Sequence, residues 1–228
     1  MHQNYIKNRQ NQLNNKITDF YTPTGIHVYF QNPVEGINVE QVIEKVENVI
    51  PRHMLEEIEM IIFGFFEEFE ERDINAFYKD NAIYVTPSQV DESDLFDDIV
   101  HEISHSLEER YGYEIYADKK MEKEFLRKRI HLHDILWQAG IRAPKSFFID
   151  TEYDQEFDDF LYQKVGYDKL TYFVNGLFIN SYAPTSLREY FATGFTEYYL
   201  DSNHNYLKKI SPVLYEKLSL LQDPKKLD

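Results

Sequence analysis

The chain has 228 residues, of which 43% are hydrophobic and 16% aromatic, and this predicts a single globular domain with a sizeable core. Its formal net charge of −16 argues against nucleic acid and anionic membranes as partners, since both repel an acidic surface, and is compatible with basic peptides. Because the chain contains no cysteine, disulfides, thiolate zinc sites and cysteine nucleophiles are excluded, and any metal would be held by histidine and carboxylate groups.

Residues 1–22 are polar and rich in asparagine and glutamine, which is typical of a flexible or adaptable arm. This segment lacks the apolar stretch of a secretory signal, and the apolar run at residues 60–66 is too short to cross a bilayer. The sequence as given therefore predicts an arm at residues 1–22 followed by one domain at residues 23–228. It predicts a soluble, cytoplasmic chain and leaves the final localisation open.

Short β-rich segments in the first half of the chain predict a sheet. The predicted strands lie at residues 26–30, 58–65 and 82–86. Apolar residues at helical spacing between positions 39 and 50 predict a helix that ends at Pro51. The glutamate-rich residues 67–71 are expected to form a solvated loop. Residues 83–86 are the candidate edge strand, which could bind an extended peptide by β-augmentation.

The segment at residues 91–112, DESDLFDDIVHEISHSLEERYG, contains the pattern H-E-x-x-H. On a helix, His101 and His105 share one face, so their imidazoles could bind the same Zn²⁺ while Glu102 acts as general base on the attacking water. The apolar residues of the segment form a stripe that points away from both histidines, which argues against a core role for them. The remaining alternative is that the two histidines lie on a solvated face.

Local signals predict where this motif helix begins and ends. Ser93 or Asp94 can cap its N-terminus, and the acidic residues of the first turn interact favourably with the helix dipole. Gly112 is typical of a helix end, so the predicted helix stops there.

The second half of the chain is expected to be mainly helical. Residues 115–138 predict a long amphipathic helix, and residues 140–170 predict an irregular acidic connector. Residues 187–200 and 211–221 predict two further helices, and the Asn-Gly pair at residues 175–176 is typical of a tight hairpin turn. Together these elements predict an α+β fold, in which a small twisted mixed sheet is backed by helices and its edge strand lies above the motif helix.

A catalytic zinc site needs a third protein ligand and an open position for water. Glu108 lies on the motif helix itself and cannot turn back onto the metal, and His131 and His133 point in different directions on their helix. Glu124 follows the second histidine at the spacing found in a large group of zinc aminopeptidases, but it lies in a heavily charged helix. Glu189 projects from the side of its helix opposite the apolar residues. The residues alone leave Glu124 and Glu189 as candidates.

The segment SYAPTSLREYFATGF at residues 181–195 resembles the active-site segment of the anthrax lethal factor catalytic domain and of the clostridial Pro-Pro endopeptidases. These are gluzincin-type zinc endopeptidases, in which an HExxH helix is followed by a tyrosine seven residues ahead of a glutamate. That glutamate opens an E-aromatic-aromatic-Ala pattern. Here the tyrosine is Tyr182 and the glutamate is Glu189, followed by Tyr190, Phe191 and Ala192.

The resemblance implies a zincin-like fold and a site that binds one Zn²⁺ ion. His101, His105 and Glu189 would be the zinc ligands, and Glu102 would be the general base. Tyr182 would donate a hydrogen bond or a proton to the oxyanion of the tetrahedral intermediate. The implied activity is zinc-dependent hydrolysis of peptide bonds in a peptide or protein substrate, and acidic clusters in the chain suggest basic substrates.

Two departures from the family pattern bear on this expectation. Glu189 comes 84 positions after His105, a longer interval than in those relatives, which implies an insertion within residues 115–170. Thr193 stands where the family usually has a second glutamate that orients a ligand. The alternative expectation is therefore a zincin-fold binding or structural protein with weak catalysis or none.

Overall fold

A five-stranded mixed sheet and the helices packed on it form the part of the chain that the computed structural model describes, residues 19–72, 74–201 and 203–227. The strands are β1 (Phe20–Tyr21), β2 (His27–Phe30), β3 (Met60–Phe63), β4 (Ala76–Lys79) and β5 (Ala82–Val85), in the order β1-β2-β3-β5-β4. Strands β2, β3 and β5 are parallel, while β1 and β4 pair antiparallel at the two edges. The α+β class and the small mixed sheet are therefore confirmed.

Helices make up most of the remainder of the described chain. They are α1 (Val39–Val49), α2 (Glu67–Arg72), α3 (Glu92–Tyr116), α4 (Lys120–Gln138), α5 (Gln155–Asp159), α6 (Tyr167–Val174), α7 (Leu187–Leu200), α8 (Asn205–Ile210) and α9 (Pro212–Leu221). Short 3₁₀ turns occur at Arg52–Met54, Lys145–Phe148 and Pro224–Lys226, and a π-helical turn at Phe160–Val165 follows α5. The predicted helices at residues 39–50, 187–200 and 211–221 and the predicted strands at residues 26–30 and 82–86 are confirmed, as is the mainly helical second half.

One continuous cluster of buried apolar side chains joins the sheet to these helices. It extends in sequence from Ile26 to Leu221 and includes residues of the long segment between α3 and α7, such as Phe148, Phe157 and Leu170. The apolar stripe predicted on the motif helix faces this cluster, because its residues are at most 1% exposed: Leu95, Phe96, Ile99, Val100, Ile103 and Leu107. Among the described residues no helix combines the length and hydropathy needed to cross a membrane.

The prediction of the edge strand is wrong. Strand β5, which contains residues 83–85, lies between β3 and β4 and is hydrogen-bonded on both sides. The edge is β4, which the sequence did not predict because its turn to β5 lacks the usual glycine. Asp80 and Asn81 form that two-residue turn with φ angles of 51° and 62°, a conformation that Asn and Asp tolerate better than most residues.

Several predicted boundaries also differ. Asp91, rather than Ser93 or Asp94, caps α3, since its Oδ1 accepts the backbone N–H groups of both those residues. The helix continues through Gly112 to Tyr116 and is separated from α4 by Lys119, which has a left-handed φ of 56°. The predicted helix at residues 115–138 is therefore divided, and its main part begins at Lys120.

Three further predictions are corrected. Residues 67–71 belong to helix α2 and are not a loop. The Asn-Gly pair at residues 175–176 does not form a hairpin, because α6 precedes it and Gly176 ends that helix with a φ of 74°. The connector at residues 140–170 contains α5 and other helical turns. The predicted arm at residues 1–22 lies outside the described residues up to position 18, and its last residues form β1.

Candidate metal centre

Helix α3 brings His101 and His105 together on one face, as the four-residue spacing predicts. Their ring centroids are 5.1 Å apart, and one ligand atom each from His101, Glu102 and His105 lies within 4.8 Å of the others. Helix α3 packs along α7 and also contacts β4 and β5. The two histidines of α3 therefore form one side of a candidate metal site, and α7 lies opposite them.

Glu189, on α7, contacts both histidines. Its Oε2 lies 3.0 Å from Nε2 of His101, and its Oε1 lies 3.6 Å from Nε2 of His105. The side chains are 22%, 12% and 16% exposed for His101, His105 and Glu189, so the site is partly shielded from water. The structure therefore brings together the three residues proposed from the sequence as metal ligands.

The start of α7 determines where the Glu189 side chain points. Ser186 caps the helix, and its Oγ accepts the backbone N–H of Glu189 at 3.1 Å. On the opposite side of α7, Tyr190 and Phe191 are fully buried. Gly194 lets α9 approach closely, because a Cβ atom at that position would overlap Leu214. Packing of these residues leaves Glu189 facing α3.

The two contacts of Glu189 with the histidines are compatible with zinc. Two ligand atoms that bind a tetrahedral Zn²⁺ at about 2.0–2.1 Å lie about 3.3 Å from each other. The contacts of Glu189 with His101 and His105, at 3.0 and 3.6 Å, lie on either side of that value. Two imidazole nitrogens and one carboxylate form the ligand set of a catalytic zinc site with a fourth position open.

Charges inside the site alter the protonation of two of these groups. Burial works against protonation of His101, but the hydrogen bond and charge of Glu189 more than offset it and raise the pKa of His101. Burial would raise the pKa of Glu189, whereas its contacts with His101 and His105 lower it overall. In the metal-free protein the pair therefore favours a protonated His101 beside an ionised Glu189, and metal binding must release that proton.

Glu102 is 8% exposed and is held by the edge strand. Its Oε2 accepts the backbone N–H of Tyr78 in β4 at 2.8 Å. This hydrogen bond links the candidate general base to the strand that the sequence did not predict. It also shows that the N–H of Tyr78 points towards Glu102 on α3.

Tyr182 lies in the loop that leads into α7. Asn180 Oδ1 accepts the backbone N–H groups of Tyr182 and Ala183 at 3.0 and 2.8 Å, and the Tyr182 carbonyl accepts the N–H of Thr185 at 3.0 Å. Burial, followed by the negative charge of Glu189, raises the pKa of the Tyr182 phenol well above its usual range. The phenol is thus protonated at neutral pH and lies within electrostatic reach of Glu189.

Glu124, the rival third ligand, is used elsewhere. It is 2% exposed, and its Oε1 accepts the Tyr190 hydroxyl at 2.8 Å. It also accepts the N–H groups of Val213 and Leu214 at 3.0 and 3.2 Å, which are in the first turn of α9. The carboxylate therefore stabilises a helix N-terminus and does not take part in the candidate metal site.

The histidines of α4 do not join the site either. His131 is exposed. The Nδ1 of His133 lies 3.3 Å from the Asp134 carboxylate, and its ring packs against Phe148 and Trp137. Neither contact involves α3 or α7. His131 lies at the surface, whereas the His133 side chain is 13% exposed, so neither histidine is a ligand of the site but a surface position is observed for His131 alone.

Sequence reasoning missed one residue that touches the site. Glu108 was dismissed as a direct ligand, yet its Oε1 lies 3.1 Å from Nδ1 of His105. Its other oxygen, Oε2, accepts Nε–H of Arg188 at 2.8 Å. The available signal was the spacing, because positions three apart on a helix are neighbours.

Among the described residues, Thr193 does not hydrogen-bond the histidines or orient a ligand, which is the role of the glutamate at the corresponding position of the enzymes that the segment resembles. Thr193 is 4% exposed, and its hydroxyl donates within α7 to the carbonyls of Glu189 and Tyr190 at 2.8 and 3.3 Å. This is the usual local hydrogen bond of a threonine inside a helix. The hydroxyl is thus engaged with its own backbone.

Comparison of the chain with protein-family models, with curated proteins and with solved structures gave no match.

Proposed function

We propose that this chain is a zincin-like, gluzincin-type zinc endopeptidase. The observation that carries the proposal is the contact of Glu189 with both histidines of the HExxH helix. Two short patterns, far apart in the sequence, thereby supply the three ligands of one site. The small mixed sheet with an edge strand beside the motif helix supports the zincin-like part of the proposal.

His101, His105 and Glu189 would hold one Zn²⁺ ion. When bound, zinc would supply the Lewis-acid chemistry that makes water a competent nucleophile near neutral pH. Glu102 takes a proton from the attacking water and delivers it to the leaving amine. The Tyr78 N–H holds this carboxylate in place through Oε2.

Tyr182 stabilises the oxyanion that develops at the scissile carbonyl. Its raised pKa keeps the phenol protonated, so it can donate a hydrogen bond where negative charge forms. Removing one such donor typically lowers the rate about 10²–10³-fold. This role requires the phenol to come within hydrogen-bond distance of the oxyanion, and the effect of the Glu189 charge on the pKa of Tyr182 supports a position near the ligand glutamate.

The substrate is proposed to be an extended peptide that pairs with β4. As the edge strand, β4 has one side unpaired within the sheet, and an edge of this kind can add a peptide strand by β-augmentation. The engagement of Tyr78 with Glu102 places this edge next to the general base. The net charge of −16 favours peptides that carry basic residues.

Metal content and peptide cleavage test the proposal together. Zinc bound per chain is measured by mass spectrometry, and cleavage of a diverse peptide library is measured with and without a chelator. Glu102→Gln should keep zinc and abolish cleavage, whereas Glu189→Ala should lose zinc. Glu197→Ala, on the same helix as Glu189, is the matched control and should change neither. Cleavage that survives in Glu102→Gln would show that the mechanism is wrong.

A second candidate function is a zincin-like binding or structural protein that does not turn over substrate. The observation in its favour is Thr193, whose hydroxyl is bonded to its own helix where the related enzymes have a ligand-orienting glutamate. This candidate predicts zinc in the purified protein together with peptide binding that is equal in the wild type and in Glu102→Gln. Zinc-dependent cleavage of any peptide would eliminate it.

A further inference from the structure

We infer that Glu108, held in place by Arg188, positions His105 as a metal ligand. The inference rests on the proposed function, because it assigns a positioning residue to the same zinc site. It also identifies a group that can do in this chain what Thr193 cannot.

Both oxygens of Glu108 are engaged, each by a different element. Oε1 lies 3.1 Å from Nδ1 of His105, one turn earlier on α3. Oε2 accepts Nε–H of Arg188, in the first turn of α7, at 2.8 Å. The Glu108 side chain is 14% exposed, so its carboxylate is largely shielded from water.

The contact determines which nitrogen of His105 can bind a metal. An ionised carboxylate only accepts hydrogen bonds, so Nδ1 of His105 must carry the hydrogen that is shared with Glu108. The other nitrogen, Nε2, then keeps its lone pair, and it is this atom that lies 3.6 Å from Glu189. Carboxylates that orient a ligating histidine in this way also raise its basicity.

Arg188 connects this arrangement to the third ligand. It is the residue directly before Glu189 in α7, so its bond to Glu108 joins the ligand helix α3 to the helix that supplies the carboxylate. The Arg188 side chain is 57% exposed, which means that losing its partner leaves no buried charge. Substitution of Glu108 should therefore disturb the site more than the fold.

The first test reads the tautomer of His105 in metal-free protein. Long-range ¹⁵N–¹H correlation spectra are recorded at alkaline pH, because a neutral imidazole shows which of its nitrogens carries the hydrogen. Wild type and the control Glu109→Ala, an exposed neighbour on α3, should show His105 with hydrogen on Nδ1. Glu108→Ala should shift the population towards hydrogen on Nε2. An unchanged tautomer in Glu108→Ala would overturn the inference.

The second test measures Zn²⁺ affinity by competition with a chelator. Glu108→Ala should bind zinc about 10–100-fold more weakly, as is typical when a group that orients a ligand is removed. Glu108→Gln keeps the shape of the side chain but offers one acceptor oxygen to the two donors, His105 and Arg188. An intermediate loss of zinc affinity is therefore expected. Glu109→Ala should match the wild type. Equal affinities in all four proteins would overturn the inference while the proposed function stands.

The two tests separate the failure of each idea. If the wild type binds no zinc, the proposed function fails, and the tautomer of His105 in the metal-free protein then decides only whether Glu108 orients the imidazole. Thermal unfolding of the metal-free variants reports whether each is folded. Glu108→Gln, with the same volume as the wild-type side chain, gives a folded comparison if Glu108→Ala is unstable.

Discussion

Replacing Glu124 with alanine should destabilise the protein and leave its zinc in place. The Glu124 carboxylate accepts three hydrogen bonds, from the hydroxyl of Tyr190 and from the N–H groups of Val213 and Leu214. The Tyr190 hydroxyl also accepts a hydrogen bond from the buried ammonium of Lys128 at 2.8 Å. Burial lowers the pKa of Lys128 to about 8, and the charge of Glu124 acts in the opposite direction.

The magnitude follows from what the truncation leaves behind. Among the described residues, the Glu124 carboxylate is the only negative charge that is seen to act on the Lys128 ammonium, and the truncation removes it. The truncation also leaves the buried donors of Tyr190, Val213 and Leu214 without this acceptor. Removing one partner of a buried charged network costs about 3–5 kcal/mol. For a chain of this size each kcal/mol lowers the melting temperature by about 2–4 °C, so a fall of about 6–20 °C is expected.

Thermal unfolding followed by circular dichroism, together with zinc content per folded chain, measures both effects. The matched control is Glu122→Ala, on the same helix, whose carboxylate pairs with Lys119 at the surface and whose loss should change stability by about 0.5 kcal/mol or less. Glu189→Ala should show the opposite pattern, with zinc lost and the melting temperature of the metal-free protein lowered less than in Glu124→Ala. A Glu124→Ala protein that melts like the wild type but carries no zinc would make Glu124 the third ligand and refute the assignment of Glu189.

Two further predictions concern groups inside the site. Tyr182→Phe should lower kcat about 10²–10³-fold with zinc content unchanged, and an unaltered kcat would remove Tyr182 from the mechanism. In metal-free protein, the raised pKa of His101 stabilises the fold below its ordinary value of 6.5, and this contribution is lost as pH rises through the folded-state pKa. The lowered pKa of Glu189 contributes stability above its ordinary value of 4.5, which is lost as pH falls through the folded-state pKa. The difference in melting temperature between wild type and Glu189→Gln in a chelator should thus be largest between these two pH values, and a difference that grows towards alkaline pH would contradict the assignment.

The sequence predicted best those elements that are specified by long periodic patterns. The apolar stripe of α3 and the bounds of α7 follow from helical periodicity over many residues, so few alternatives fit. Strand β4 is four residues long and turns through Asp80 and Asn81 without a glycine, so neither its length nor its turn gave a clear signal. The Asn-Gly pair at residues 175–176 was misread because a left-handed glycine can end a helix as well as form a hairpin.

The residues of the candidate site likewise differ in how far local sequence patterns could predict them. The pairing of His101 with His105 needs only helix geometry, and it was predicted from the motif. Glu189 was singled out through the resemblance, because 84 intervening positions leave its partner open until the fold is known. The contact of Glu102 with Tyr78 requires both the unpredicted strand and its register, so sequence patterns could not supply it.

The arrangement of carboxylates explains how so acidic a chain can build one defined site. Four glutamates are shielded from water, yet each has a different set of hydrogen-bond or ion-pair partners. Glu102 accepts a strand N–H, and Glu108 contacts a histidine and an arginine. Glu124 accepts a tyrosine hydroxyl and N–H groups of a helix N-terminus, and Glu189 contacts two histidines. A buried carboxylate without such partners would be strongly destabilising. Of these four, only Glu189 has two imidazole nitrogens as its nearest partners. A metal ion can take the place of the proton that lies between Glu189 and His101. The partners of Glu189, rather than its position in the sequence, therefore distinguish the proposed ligand from the other three glutamates.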